Sequence, residues 1–228
     1  MKSPVHVLLV GAAGRMGKTI LDLARNDPKI DIVAQCDLGD AIDPAMKQSD
    51  VAIDFSHSGA VEEICRAALQ HRRPLVIGTT GHSAEQRSLI EKAAKAVPIV
   101  FASNFSVGVN TLFALTRNAA EILSREFRPE IIETHHRTKK DAPSGTAKTL
   151  SEILSKAPRT DDQIPIQSIR EGDVVGEHTV IFAGPGERLE LSHKASSREI
   201  FGRGALRAAR WVIGKPPRLY SMQDVLGL

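Results

Sequence analysis

The first hundred residues alternate between short apolar runs and stretches in which apolar side chains recur at helical spacing. An apolar run over residues 5–10 ends at a glycine, helical spacing follows over 16–24, and a second apolar run covers 30–36. Further strands are predicted at 51–55, 74–77 and 98–102, with helices at 61–70 and 84–96. Strands that alternate with helices predict an α/β fold with a parallel, doubly wound sheet.

The pattern changes after about residue 104. The sequence predicts a helix over 109–124, a strand over 130–134 and, after a polar loop, a helix over 144–155. Three further strands, separated by turn residues, are predicted at 166–170, 178–183 and 188–193, and a last helix at about 204–213. Consecutive strands of this kind indicate a second, α+β domain with a mainly antiparallel meander or mixed sheet.

Composition narrows the function classes. The 228 residues are 42% hydrophobic and 25% charged, as in ordinary globular proteins, and only 4% aromatic. The net charge of +3 is spread along the chain, and base-stacking aromatics are scarce, so we expect no nucleic-acid partner. The apolar run over 5–10 is too short for a signal sequence or membrane span, so we expect no membrane association and a cytoplasmic location. The two cysteines, Cys36 and Cys65, are expected to be small buried side chains and cannot form a zinc cluster.

A glycine turn, Gly11-Ala12-Ala13-Gly14-Arg15-Met16-Gly17, lies where the first strand passes into the first helix. Backbone amides at such a junction bind phosphate, as in Rossmann-type dinucleotide domains. Gly11 permits the tight turn, Gly14 lets a ligand approach the backbone, and Gly17 allows the helix to pack closely on the sheet. The spacing GxxGxxG departs from the GxGxxG fingerprint at Ala13.

A competing interpretation is a phosphate loop of the Walker type. Residues 12–19 end in Gly17-Lys18-Thr19, but Ala12 stands where that motif has its first glycine, and Asp54 could imitate its magnesium carboxylate. Asp37 favours the dinucleotide interpretation because it ends the second strand, where a ribose hydroxyl needs an acceptor.

Two later strand ends carry small, amide-rich turns. Ligands of open α/β sheets bind outside the carboxyl ends of the strands. Both turns are therefore candidate walls of the cofactor site: Gly78-Thr79-Thr80-Gly81 and Ala102-Ser103-Asn104-Phe105-Ser106.

Residues 133–147 form the densest polar cluster, and none of them is expected in a core. His135 and His136 near Lys139 offer a proton donor in an electropositive pocket. The helix that starts near Ser144 directs its first amides towards an anionic ligand. Metal binding fits poorly, because cations crowd the histidines and no partner carboxylate is evident nearby.

The segment Glu133–Ala147 resembles the signature of the 4-hydroxy-tetrahydrodipicolinate reductase family, formerly called dihydrodipicolinate reductase, of lysine (diaminopimelate) biosynthesis. The resemblance extends over nearly the whole chain, through the glycine turn, 76–81, 102–110, 176–178, 190–197 and the final helix. It implies an oxidoreductase that reduces 4-hydroxy-tetrahydrodipicolinate, a cyclic imine dicarboxylate, to tetrahydrodipicolinate with NADH or NADPH.

The resemblance also implies residue roles. His135 would donate the proton and Lys139 would assist it, while the substrate would be held by His136, Ser144, Gly145 and Thr146. The cofactor would contact Gly11, Ala12, Ala13, Gly14, Arg15, Met16, Asp37, Gly78, Thr79, Thr80, Ala102, Ser103, Asn104 and Phe105.

Members of the family are tetrameric through the second domain. We therefore expect a homotetramer with a dinucleotide domain at 1–106, to which a terminal segment at 203–228 returns, and a substrate and oligomerisation domain at 107–202. Leu38 follows Asp37 where members that use NADPH often have a basic residue, so we expect a preference for NADH. The alternatives are a P-loop-like nucleotide hydrolase and a non-catalytic dinucleotide sensor.

Overall fold

The protein, described by a computed structural model over residues 3–123, 125–157 and 163–228, divides into two compact units. One unit comprises residues 3–106 and 199–227, and the other lies within 107–198. Ser124, the predicted end of one helix, and the first two residues of the predicted first domain lie outside the described residues.

The first unit is built on a six-stranded sheet whose strand pairs are all parallel. Its strands, in the order β10-β5-β4-β3-β1-β2, are β1 (Val5–Val10), β2 (Ile30–Cys36), β3 (Val51–Asp54), β4 (Leu75–Ile77), β5 (Ile99–Phe101) and β10 (Leu219–Tyr220). Its helices are α1 (Arg15–Ala24), α2 (Ile42–Gln48), α3 (Val61–His71), α4 (Ala84–Ala93), α7 (Glu199–Val212) and α8 (Met222–Leu226), with a short 3-10 helix at Ser58–Ala60. This confirms the predicted doubly wound α/β fold.

Both faces of this sheet are buried, which explains the continuous apolar runs. Along β1, Val7 and Leu9 pack against α1 and α7, whereas Leu8 and Val10 pack against α2, α3 and α4. Both cysteines are free and buried, as predicted. Because all six strands run in one direction, their carboxyl ends meet at one edge, where the predicted cofactor turns lie.

The short elements of the first unit are absent from the sequence prediction. Helix α2 has seven residues, with Pro44 in its first turn, and β10 has two, so neither shows a clear period. The last long helix begins at Glu199, earlier than the expected start near Gly204.

The second unit has a four-stranded sheet covered by two helices. Its elements are α5 (Val107–Leu123), β6 (Arg128–His135), α6 (Gly145–Ser155), β7 (Ile166–Arg170), β8 (Gly176–Gly184) and β9 (Glu187–Ala195). The strand order is β7-β6-β8-β9, with β7 parallel to β6 and the other pairs antiparallel. The sheet is therefore mixed and not a simple meander, because the connection through α6 returns β7 to the far side of β6. Within the described ranges, no helix is long and apolar enough to cross a bilayer.

Candidate active site

The glycine turn after β1 folds tightly onto itself. Gly11 has φ +84°, and a Cβ there would lie 2.5 Å from the carbonyl oxygen of Phe55. A Cβ on Gly17 would lie 2.2 Å from the carbonyl oxygen of Gly11, so Gly17 packs on the turn itself and not only on the sheet as predicted. Gly14, the N-cap of α1, is exposed, which leaves the helix N-terminus open to an anion.

Asp37 lies beside this turn at the end of β2. Its carboxylate oxygens lie 3.1 and 3.0 Å from the amide nitrogen of Ala13, which donates to them, and its own amide donates to Asp40 at 2.8 Å. The structure thus brings the predicted ribose acceptor to the glycine turn.

A cavity of about 570 Å³ opens beside Asp37. Asp37, Asp40 and Glu63 contribute carboxyl groups to its lining, and Leu38, which is 87% exposed, also lies there. Among the described residues that line it there is no lysine or arginine. The charged side chains of the described lining are therefore mainly acidic, and His57 is the one histidine among them.

The turns after β3, β4 and β5 are packed together at the same sheet edge. A Cβ on Gly78 would lie 2.3 Å from the ring of Phe55, whose centroid is 5.6 Å from that of Phe105. A Cβ on Gly204 of α7 would lie 1.8 Å from the carbonyl oxygen of Phe105. The predicted cofactor segments 11–16, 78–80 and 102–105 thus share one edge with Asp37.

Asp54 does not supply the accessible carboxylate that a Walker-type site needs. It is buried and accepts hydrogen bonds from the amide of Ser56 at 2.9 Å and from its hydroxyl at 2.5 Å. Burial raises the pKa of Asp54. A carboxyl group that is buried and already engaged by Ser56 is unsuited to hold magnesium.

In the second unit, β6 directs Glu133 and His135 to the same face of the sheet. Glu133 is 0% and His135 8% exposed, which corrects the expectation that none of 133–147 belongs to a core. Glu133 accepts a hydrogen bond from Nη2 of Arg170 at 2.8 Å and one from the amide of Ser144 at 3.3 Å, and it also contacts Nδ1 of His135. Glu133 is the partner carboxylate that the sequence did not reveal.

The pKa values in this cluster follow from burial and from the charges within it. Burial alone would raise the pKa of Glu133, but hydrogen bonds from Arg170, Ser168 and His135 lower it to about 2. Burial lowers the pKa of His135 although Glu133 opposes this shift. An anion bound beside His135 would raise its pKa again and favour its protonation.

His178 of β8 completes the cluster and was not predicted as a site residue. Its ring centroid is 5.1 Å from that of His135, and its Nε2 lies 3.1 Å from Oγ of Ser144. Burial, with a smaller contribution from His135, lowers the pKa of His178 to about 3, so this imidazole is neutral.

Ser144 has a structural role that the prediction did not include. Its Oγ accepts from the amide of Ala147 at 3.2 Å and so caps α6. Its side chain therefore faces the protein interior, while Gly145 is exposed at the start of the helix.

Of the other predicted residues, Thr146 lies in the first turn of α6, and Lys139 and His136 lie on the loop after β6. Lys139 Nζ is 2.7 Å from Oδ1 of Asp141, and its charge contributes to the lowered pKa of His135. Nδ1 of His136 lies 2.8 Å from Oγ1 of Thr138. Lys139 is thus close enough to act electrostatically on His135.

Glu133, His135 and His178 could in principle hold a metal ion, because one ligand atom of each lies within 4.8 Å of the others. Both oxygens of Glu133 are already engaged, however, and Arg170 places a positive charge on one of them. This donor set is therefore a poor site for a cation.

Reduction by a nicotinamide requires a site for a dinucleotide and a group that can transfer a proton, and the glycine turn with Asp37 and the buried histidine cluster have the chemistry for these two tasks. These features define the protein as a nicotinamide-dependent oxidoreductase.

Comparison with known proteins specifies the family. Residues 5–105 match the family described as dihydrodipicolinate reductase, N-terminus, and residues 108–226 match dihydrodipicolinate reductase, C-terminus. The chain is 50% identical to the 4-hydroxy-tetrahydrodipicolinate reductase of Akkermansia muciniphila, with 98% of each chain covered. It is 44% identical to that of Methanoculleus marisnigri, covering 98% of this chain and 100% of the other. The protein belongs to the dihydrodipicolinate reductase family.

Solved structures show the same fold. Dipicolinate-bound dihydrodipicolinate reductase from Paenisporosarcina sp. TG-14 superposes with a TM-score of 0.83 at 24% identity, covering 97% of this chain and 99% of the other. The DAP dehydrogenase of C. glutamicum superposes with a TM-score of 0.62 at 13% identity, covering 98% of this chain and 94% of the other.

Proposed function

We propose that this protein reduces 4-hydroxy-tetrahydrodipicolinate to tetrahydrodipicolinate with a nicotinamide cofactor, as a step of lysine biosynthesis. Two relatives that match 98% of this chain, at 50% and 44% identity, carry the name of this activity. The observation that carries the proposal is the buried cluster around His135, which lies within the segment that resembles the family signature. Neither a nucleotide hydrolase nor a non-catalytic sensor needs this cluster.

The residues of the second unit have distinct proposed roles. His135 donates a proton to the substrate, and Lys139 assists by adding positive charge. Amides at the start of α6, at Gly145 and Thr146, bind a substrate carboxylate together with His136. Ser144 supports this site by capping α6. The nicotinamide cofactor supplies the hydride when it is bound.

The cofactor is proposed to be NADH in preference to NADPH. The cavity beside Asp37 has three acidic residues in its lining and no described lysine or arginine, and Leu38 is exposed at its rim. A 2′-phosphate placed there would meet these carboxylates with neither lysine nor arginine among the described lining residues to offset them. The remaining cofactor contacts are proposed at 11–16, 78–80 and 102–105.

We propose that one unit binds the cofactor and that the other binds the substrate and forms the subunit interface. Residues 1–106 with 203–228 form the cofactor domain, and 107–202 form a substrate domain that assembles the chain into a cytoplasmic homotetramer. Apolar side chains exposed on the second unit support an interface there: Leu115, Ile122 and Leu189. A monomeric mass in sedimentation analysis would contradict the assembly.

The deciding experiment generates the substrate in situ with the preceding synthase and follows oxidation of NADH. We expect turnover by the wild type, and for His135→Ala a kcat lower by roughly 10² to 10⁴-fold, the usual contribution of a general acid. Binding of NADH, measured by fluorescence titration, should be unchanged because His135 lies in the other unit.

His6→Ala is the matched control, since His6 is a half-exposed histidine of the first unit paired with Asp50. It should retain wild-type kcat. No NADH oxidation by the wild type would refute the proposed reaction, and full activity of His135→Ala would refute the assignment of the acid.

A further inference from the structure

The carboxylate of Glu133 uses its two oxygens for different partners. Oε1 accepts from Nη2 of Arg170 at 2.8 Å and from the amide of Ser144 at 3.3 Å. Oε2 faces Nδ1 of His135. The side chain is fully buried, so water does not compete for either oxygen.

This arrangement determines where the hydrogen of a neutral His135 resides. An ionised carboxylate can only accept hydrogen bonds, so Nδ1 must carry the hydrogen and donate it to Oε2. Nε2 is then left as the unprotonated nitrogen. It makes no hydrogen bond with the described residues, and it lies beside Gly176, where a Cβ would be 3.1 Å away.

We propose that Glu133 is a positioning residue which, anchored by Arg170 and the Ser144 amide, fixes His135 as the Nδ1–H tautomer and leaves Nε2 to exchange protons with the ligand. This inference rests on the role of His135 in the proposed function and adds to it the atom that reacts and the residue that selects it.

The charges around His135 show why the carboxylate matters. Glu133 lies on the same strand, Lys139 on the following loop, Arg170 on β7 and His178 on β8, with His193 of β9 beyond His178. Among these described groups, Glu133 is the one anion, and it stabilises a positively charged His135. Burial and the positive charges of Lys139 and Arg170 act against protonation of His135. Without its charge, His135 would hold a transferable proton only at lower pH.

The test is Glu133→Gln, which keeps the shape of the side chain and removes its charge. Arg170 and the Ser144 amide are both donors, so the amide oxygen should remain with them and the NH₂ group should turn towards His135. Nδ1 must then accept, and the hydrogen must move to Nε2. The variant should therefore show the opposite tautomer, which the ¹⁵N chemical shifts of the ring nitrogens report.

Kinetics give a second, independent measurement. We expect kcat of Glu133→Gln to fall by roughly 10² to 10⁴-fold, as for loss of a general acid, and the alkaline limb of its pH profile to move to lower pH. Binding of NADH should be unchanged. Glu130→Gln, a substitution on the same strand outside the cluster, is the control and should leave the tautomer, kcat and pH profile unaltered.

The wild-type spectrum alone can overturn the proposal, even if the variant does not fold. The His135 resonances are assigned by their loss in His135→Ala, and a neutral His135 that carries its hydrogen on Nε2 refutes the positioning role. A folded Glu133→Gln with wild-type tautomer and pH profile refutes it as well. If the wild-type tautomer is Nδ1–H but His135→Ala is fully active, the assigned acid is wrong, and with it the proposal that Nε2 exchanges protons with the ligand.

Discussion

Leu38 follows β2 and lines the cavity beside Asp37. One substitution at this position can therefore test the proposed preference for NADH over NADPH. Its side chain is 87% exposed, so Leu38→Arg removes little packing. The new guanidinium would stand next to Asp37, where the ribose of a bound cofactor is proposed to lie. It would add a permanent positive charge to a cavity whose described lining has neither lysine nor arginine.

The expected gain in the free energy of NADPH binding depends on how exposed position 38 is to solvent. A hydrogen bond to a charged group contributes about 1.5–3 kcal/mol when it is shielded, and an exposed ion pair about 0.2–1 kcal/mol. A half-open cavity lies between these limits, so we expect about 1–2 kcal/mol, which corresponds to roughly 5- to 30-fold tighter binding of NADPH. NADH has no 2′-phosphate, and its binding should change much less.

The assay is fluorescence titration of both cofactors against wild type, Leu38→Arg and Leu38→Gln. The glutamine variant controls for the loss of an apolar side chain without adding charge. The gain for NADPH should shrink as salt rises, because exposed charges are screened over about 8 Å at physiological ionic strength. If Leu38→Arg and Leu38→Gln show the same NADPH to NADH ratio, the 2′-phosphate does not bind beside position 38.

Two further predictions concern stability. Gly204→Ala should destabilise the protein by about 1–3 kcal/mol in urea unfolding, because the new Cβ would meet the carbonyl of Phe105. Gly202→Ala in the same helix meets only the flexible end of Leu23 and should be nearly neutral, and equal effects of the two would contradict this packing argument. The free energy of unfolding should also fall as the pH drops from about 6.5 towards 3. In this range the histidine is protonated in the unfolded chain, whereas buried His178, with its pKa of about 3, stays neutral in the folded protein. His178→Gln should flatten that slope in unfolding measured at several pH values, and an unchanged slope would contradict it.

The parallel sheet was predictable because strands buried on both faces leave continuous apolar runs in the sequence. The glycine turn and Asp37 could be located as well, since both follow strand ends. The position of β7 could not be predicted, because strand order depends on how α6 packs and not on any local pattern. Two-residue β10 is too short to show a period.

The histidine cluster was only partly predictable, for a related reason. His135 and Lys139 are apparent from their chemistry and from the resemblance of their segment. Arg170 and His178 reach the site only through strand register, in which His135 pairs with Arg170 and Glu133 with His178. This register is set by side-chain packing across strands. The local sequence around Arg170 or His178 therefore does not show which residues of β6 they pair with.

Among the residues that the structure describes, each unit buries one side-chain carboxyl group near the end of a strand, and the pKa values of the two shift in opposite directions. Burial raises the pKa of Asp54, since the hydrogen bonds from Ser56 offset desolvation only in part. Burial acts in the same direction on Glu133, but the hydrogen bonds from Arg170, Ser168 and His135 together outweigh it, and the pKa falls to about 2. With a pKa of about 2, Glu133 is ionised at neutral pH and can stabilise positive charge on the neighbouring imidazole. This difference supports the proposal that proton transfer takes place in the second unit.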